Sequence, residues 1–315
     1  MKLLARRHRN VGAVAEPRDS REDVTRAERN ANNLIEQQLD ERVAAVEAAA
    51  NADVLTYIGP LFPPADDEAK DAVEAISPRR PALLVVLESA GGYANVAERI
   101  ARIFRHHYDR VDFAVPSYAM SAATILVMSG DAIHMDYASV LGPIDPQVMG
   151  TGGQWVPALG YLKQYKRLVE KSKDGSLTAA ELAYLIKNFD AAALYAYEQE
   201  AELSVALLED WLTNYKFKNW KTTETRGKKV TKAMRAARAR TIAEQLNDSD
   251  RWHSHSRGIP REVLTRDLKL LIDDFGADPT LGPAMHDYYR LLKDYNMRRG
   301  FEFYVLHTRG RYAGN

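Results

Sequence analysis

At 315 residues and 46% hydrophobic content the chain is long enough to bury a large core, and 43 basic residues against 43 acidic ones leave no net field to gather nucleic acid or anionic lipid. The absence of cysteine excludes disulfides, thiolate catalysis and cysteine-held metals, which fits a reducing compartment. No run approaches the roughly 18 apolar residues a membrane helix needs, so no integral membrane segment is expected and the expected address is the cytoplasm.

Residues 1–20 mix Arg, Glu, Pro and Gly without periodicity and read as a flexible arm. Residues 21–52 form an N-terminal helical segment of one helix or two, with Ser20 as a candidate cap and Leu34, Leu39, Val43 and Val46 as an apolar stripe. The period then changes. VLTYIG (54–59) and ALLVVLES (82–89) are short, β-branched-rich runs that read as buried parallel strands, separated by an acidic helix, DDEAKDAVEAIS. After ESAGG (88–92), Tyr93, Val96, Ala97, Ile100, Ile103 and Phe104 recur at helical spacing, with Glu98, Arg99, Arg102 and Arg105 on the opposite face. VDFAVP (111–116) and AIHMD (132–136) are further strands flanking a small-residue helix in MSAATILVMSG. Alternating strands and helices predict an α/β core over 53–156 with a parallel sheet and right-handed crossovers. Residues 157–315 read as mainly helical, without a clear strand until FEFYVLH (301–307).

Two phrases carry the chemistry. In an open α/β sheet, ligands gather at the carboxyl ends of strands, and both ESAGG and PSYAMSAAT follow strands. Glycines there let backbone amides approach a ligand, and two amides aimed at one point make an oxyanion hole. A serine at a helix start lies near unpaired amides and the positive end of the helix dipole, a setting that favours a nucleophile. Ser121 is therefore the candidate nucleophile, and the amides of Gly92 and Ala122 are the candidate oxyanion hole. Each phrase alone also reads as a plain turn or a cap.

In order and spacing, ESAGG, PSYAMSAATILVMSGDAIHMD and ASVLGPIDPQ resemble the Clp-type serine protease superfamily, most closely its serine dehydrogenase proteinase family, relatives of signal peptide peptidase A. The resemblance covers about residues 54–150 and returns in RWHSHSRGIP; Ala90 stands where many relatives have proline. It implies a Clp/crotonase-like spiral of strand-strand-helix units with added N- and C-terminal helices, assembled as a homo-oligomer, with 53–156 as the catalytic core and 157–315 completing the site and the oligomer contacts. The implied activity is serine-type endopeptidase, hydrolysing peptide bonds through a Ser121 acyl-enzyme.

The base stays open between two patterns. Where the Clp proteolytic subunit has its histidine, this chain has Leu-Gly-Pro-Ile at 141–144. The Ser, Asp, His order described for serine dehydrogenase proteinases implies Asp145 and His255; the lysine of signal peptide peptidase A relatives would fall among Lys163, Lys166, Lys171 and Lys173, with Lys173 and Lys163 as the alternative bases. A neutral imidazole serves at neutral pH, whereas a lysine must be buried to lose its proton, and these four lie in a strongly charged stretch. His255 is the favoured reading.

No cofactor is implied, and the eight histidines offer no convincing metal set. Between Lys216 and Arg240 ten basic residues face one acid, Glu224. This reads as a solvated helix face rather than a nucleic-acid site, and a protein partner there stays open. The Tyr- and Leu-rich helices at 181–212 and 283–297 carry more apolar surface than a lone helix leaves in water, so they should pack on the core or between subunits. The expected partners are a peptide or protein substrate and copies of the chain. A catalytically inactive Clp-fold scaffold is the alternative, and a crotonase-like acyl-CoA enzyme is a third.

Overall fold

The computed structural model describes residues 20–149, 155–223, 225 and 227–314. The arm expected over residues 1–20 lies outside the described residues up to position 19, as do Glu224 and Arg226 of the basic stretch.

Helix α1 (Ser20–Ala50) is one continuous helix and leads into β1 (Asp53–Ile58), α2 (Ala65–Ala75), β2 (Ala82–Glu88), α3 (Ala94–His107) and β3 (Arg110–Val115). Then come β4 (Tyr118–Ala119), α4 (Ala122–Val127), β5 (Ala132–Met135) and β6 (Val140–Leu141), followed by β7 (Gln147–Met149) and β8 (Trp155–Pro157). Next are α5 (Ala158–Lys173), α6 (Ala179–Asn188) and α7 (Ala191–Trp211), the last running into a π turn, Leu212–Lys216. The remainder comprises α8 (Lys232–Asn247), α9 (Ser249–Trp252), β9 (Ile259–Pro260), α10 (Arg261–Arg266), β10 (Asp273–Asp274), α11 (Leu281–Arg299), β11 (Val305–Thr308) and β12 (Arg311–Gly314).

The main sheet has the order β10-β5-β3-β2-β1-β11-β12. Its five strands from β10 to β1 are parallel, while β11 adds to β1 antiparallel and hairpins into β12. Successive strands β1, β2, β3 and β5 lie side by side, the spiral expected of a Clp/crotonase-like fold. The unbroken apolar run of β2 follows from burial on both faces. Leu83, Val85 and Leu87 face α2, α3, α4, α7 and α8, while Leu84 and Val86 face α1 and α11. Each such leucine or valine, fully buried, contributes about 1.5 to 3 kcal/mol relative to exposure.

The second layer is also tied by polar contacts. Thr56 Oγ1 and Tyr288 Oη are 2.7 Å apart, Tyr288 Oη is 2.7 Å from His307 Nδ1, and His307 Nε2 is 3.4 Å from Asp40. These contacts link β1, α11, β11 and α1. The strand expected at 301–307 begins only at Val305, and the two-residue strands β9 and β10 had no counterpart in the expectations.

The Tyr- and Leu-rich helices divide. Val205, Leu208 and Trp211 of α7 and Tyr288, Leu292 and Tyr295 of α11 are buried, whereas Leu182, Tyr184 and Ile186 of α6 and Tyr195 of α7 are exposed. The basic segment is largely engaged within the molecule. Arg240 pairs with Glu202, Glu209 and Glu244, Arg235 donates to the carbonyls of Phe217 and Lys218, and Arg238 donates to that of Leu268.

Candidate active site

A second, three-stranded sheet, β4-β6-β9, builds the site. Strand β4 runs parallel to β6, with Ala119 opposite Leu141, and β6 pairs antiparallel with β9, with Leu141 opposite Ile259. Ser121 lies just beyond the end of β4, Asp145 just beyond the end of β6, and His255 just before the start of β9. Because β9 is antiparallel, all three emerge at the same end of this sheet.

The serine is held in an uncommon conformation. Ser121 has φ 52° and ψ −122° and caps α4, one residue earlier than the first-turn position expected. That backbone is strained for a residue with a Cβ, and such strain collects at functional sites. Two contacts enforce it. Met120 N–H donates to the Ser89 carbonyl at 2.9 Å, and the Met120 carbonyl accepts from Ala123 N–H at 2.9 Å. Ser121 is half-buried, and its Oγ has no hydrogen-bond partner among the described residues. Thr124 Oγ1 donates to the Ala119 carbonyl at 2.7 Å and lies 3.0 Å from Gly142 N, which ties α4 to the segment after β6.

The two glycines of ESAGG do different things. At Gly91 (φ 106°) a Cβ would stand 2.8 Å from both the Met120 carbonyl oxygen and Ser121 Cβ, so only glycine lets this strand pass beside the serine. Its N–H is taken by Ser89 Oγ at 3.1 Å. At Gly92 a Cβ would stand 2.4 Å from the Leu61 carbonyl oxygen. The bridge to Leu61 uses the Gly91 carbonyl at 2.7 Å and the Tyr93 N–H at 3.0 Å, so the Gly92 N–H is left over. Neither that amide nor the Ala122 amide has an acceptor among the described residues.

Asp145 and His255 are brought together: His255 Nδ1 lies 3.0 Å from Asp145 Oδ1. The carboxylate can only accept, so Nδ1 carries a proton, and the neutral form of the ring has its lone pair on Nε2. Asp145 is fully buried, and Gln147 Nε2 donates to its other oxygen at 3.0 Å, so both oxygens are satisfied. Gly258 lets the histidine loop lie on β6, since a Cβ there would meet Val140 at 3.0 Å. The Ile144 N–H donates to the Leu246 carbonyl of α8 at 3.1 Å, anchoring the segment that carries Asp145. His255 has no hydrogen bond to Ser121 among the described residues.

The lysines lie elsewhere. Lys163 pairs with Asp250 at 2.6 Å and Asp248 at 3.7 Å, and Lys173 with Glu170 at 2.7 Å, both on solvated surface. Neither has a hydrogen bond to Ser121 among the described residues. Among the described residues no group of His, Asp and Glu could hold a metal, and no helix is long and apolar enough to cross a membrane. Gly91, Ser89, Gln147 and Thr124 were not singled out from sequence. Gly91 and Ser89 lie inside the ESAGG phrase and Gln147 two residues after Asp145, so their proximity in the chain was the available signal.

Residues 21–247 match the family model described as the ClpP-like SDH-type serine proteinase. Two uncharacterized proteins of Methanocaldococcus jannaschii are similar, one 30% identical over 47% of this chain and 50% of its own length, the other 31% identical over 47% and 54%. The chain thus spans about half the length of the curated relatives it matches. Solved structures with a likeness include a lysine-to-alanine mutant of the 1510-N membrane-bound stomatin-specific protease bound to a substrate peptide (TM-score 0.43, 14% identity, 83% of this chain and 85% of that one). A serine-to-alanine mutant of the 1510-N protease gives TM-score 0.42 and 12% identity over 70% of this chain and 77% of that one. The ClpP catalytic domain from Plasmodium falciparum gives 0.27 and 13% over 31% and 57%.

Proposed function

The chain belongs to the ClpP-like SDH-type serine proteinases, and from that premise we propose that it is an endopeptidase acting through Ser121, Asp145 and His255. The pairing of His255 with buried Asp145, at the end of the small sheet where Ser121 also emerges, is the observation that carries this reading.

The roles follow from the atoms. Ser121 Oγ attacks the carbonyl carbon of the scissile peptide bond while His255 Nε2 takes its proton. The carbonyl oxygen becomes an oxyanion facing the Gly92 and Ala122 amides, a contact each worth about 10² to 10³ in rate where comparable donors have been removed. Asp145 holds the imidazole in the Nδ1–H tautomer and stabilises the imidazolium that forms. His255 then gives the proton to the leaving amine nitrogen, the C–N bond breaks, and an ester to Ser121 remains. Water, deprotonated by the same imidazole, hydrolyses that ester and restores Ser121.

The ion-paired, solvated settings of Lys163 and Lys173 support histidine over lysine as the base, since a lysine base calls for a buried setting. The exposed apolar side chains of α6 and α7 support a homo-oligomer, and the cysteine-free composition supports a cytoplasmic setting.

The test is digestion of an unfolded protein substrate, with products mapped by mass spectrometry. Internal cleavage by the wild type that disappears in Ser121→Ala supports the reading. Cleavage unchanged by that substitution, or no cleavage of any unfolded substrate, contradicts it.

A further inference from the structure

A groove of about 650 Å³ lies between α11 and the turn at 136–138, lined by His286, Tyr289, Arg290, Lys293 and Met297 on one side and by Asp136 to Ala138 on the other. The helix residues recur at spacings of three and four, so they form one face of α11. From His286 to Met297 that face runs about 16 Å, the reach of about five residues of extended chain.

Most charges in the groove are already matched. His286 Nε2 contacts Asp136 Oδ2 at 2.7 Å, Asp294 accepts from Arg298 at 2.8 Å, and Lys293 Nζ donates to buried Glu88 at 2.6 Å. Arg290 is exposed and has no hydrogen-bond or ion-pair partner among the described residues. The unmatched charge of the groove is therefore one guanidinium, a donor whose planar fork fits a carboxylate. Around it Tyr137 and Met297 are 79% and 72% exposed, apolar surface without a partner.

The groove and the candidate active site share structural elements. Glu88, which anchors Lys293, immediately precedes Ser89, whose N–H donates to the Tyr118 carbonyl and whose carbonyl accepts from Met120 N–H next to Ser121. The groove's turn continues into β6, whose Val140 lies opposite Tyr118 of β4, three residues before Ser121. Both lie at the carboxyl ends of the parallel strands, Asp136 after β5 and Glu88 ending β2.

We propose that this groove holds a segment of the peptide substrate outside the scissile bond, and that Arg290 is the receptor for a carboxylate on that segment. The location as a substrate subsite rests on the peptidase reading; the binding chemistry does not. The carboxylate comes either from an acidic side chain or from the chain's own C-terminus, and the same guanidinium accepts both.

The experiment uses the full chain with Ser121→Ala, which binds without turnover, and fluorescence anisotropy with three labelled hexapeptides of otherwise identical neutral sequence. One carries an internal Glu and an amidated C-terminus, one a free C-terminus, and one no charge. The two carboxylate peptides are expected to bind about threefold to fivefold tighter than the neutral one, an exposed ion pair's worth. Adding Arg290→Ala should erase that preference, while Arg102→Ala on distant α3 should preserve it. A preference for only one of the two charged peptides identifies which source the groove reads. Equal binding of all three, binding of none, or a preference that survives Arg290→Ala overturns the proposal. Fluorophosphonate labelling of the wild type reports on Ser121 separately, so a charge-selective groove beside an unreactive serine would sink the peptidase reading and keep the binding site.

Discussion

Asp145 and His255 are separated by 110 residues of chain, and their side chains meet at 3.0 Å between Oδ1 and Nδ1. The contact depends on the small sheet that ends with both segments on one side, and on a buried carboxylate whose second oxygen is taken by Gln147. Replacing Asp145 by Asn keeps the shape but offers the imidazole an amide in place of an anion. Asp145→Asn is expected to lower the rate of peptide hydrolysis by about 10² to 10⁴-fold, the range that positioned general-base catalysis supplies. Steady-state kinetics beside a thermal melt check this, and an unchanged rate would remove Asp145 from the site.

Ser121 tests whether the site stores strain. With φ at 52° and ψ at −122°, glycine suits this position better than serine or alanine. Ser121→Gly is expected to be more stable than Ser121→Ala by about 1 kcal/mol while both are inactive. Urea unfolding of the two variants measures the difference, and equal stability would mean the conformation is unstrained.

The glycine pair makes a steric prediction. A methyl group at Gly91 meets Ser121 Cβ and the Met120 carbonyl at 2.8 Å, and one at Gly92 meets the Leu61 carbonyl at 2.4 Å. The partner of Gly92 and one of Gly91's two are backbone, so the loop must move. Gly92→Ala is expected to cost about 10² or more in the acylation rate through loss of the aimed amide. Stopped-flow acylation by an activated ester is the readout.

His134 carries a pH dependence remote from the site. Burial, chiefly, makes its imidazole give up a proton more readily than free histidine; the Lys216 and Arg110 charges act the same way, and Asp112 and Asp273 oppose them. A value depressed by folding means the unfolded chain takes the proton first as the pH falls. The contribution is therefore complete above about pH 6.5, the ordinary histidine value, and is lost as the pH falls through the folded value. His134→Gln should flatten the fall of the urea midpoint between about pH 7 and pH 5. An identical slope in the variant would assign the acid sensitivity elsewhere, with His107, also lowered by burial, as the next group to replace.

Much of this architecture was legible in the sequence, for physical reasons. β1, β2, β3 and β5 announce themselves because strands buried on both faces need continuous apolar, β-branched runs, and α3 because one face is apolar and the other charged. Strands β9 and β10 were not legible, since two residues carry no period and their ladders exist only through distant partners. The exposed apolar side chains of α6 were legible as an excess but not as a location. Gly91 was overlooked beside Gly92 because sequence shows two adjacent glycines and only the fold separates one that makes room for Ser121 from one that leaves an amide free. The pairing of Asp145 with His255 came from the family resemblance; nothing in composition or spacing connects residues so far apart.

The most direct test of the central claim is fluorophosphonate labelling followed by intact-mass and peptide-level mass spectrometry. The account predicts a single adduct on Ser121, none in Ser121→Ala, a labelling rate lowered by about 10² or more in His255→Ala, and a rate within about twofold of wild type in Lys163→Ala and Lys173→Ala. An adduct that persists in Ser121→Ala, or a rate that His255→Ala leaves intact while a lysine substitution abolishes it, would contradict the account.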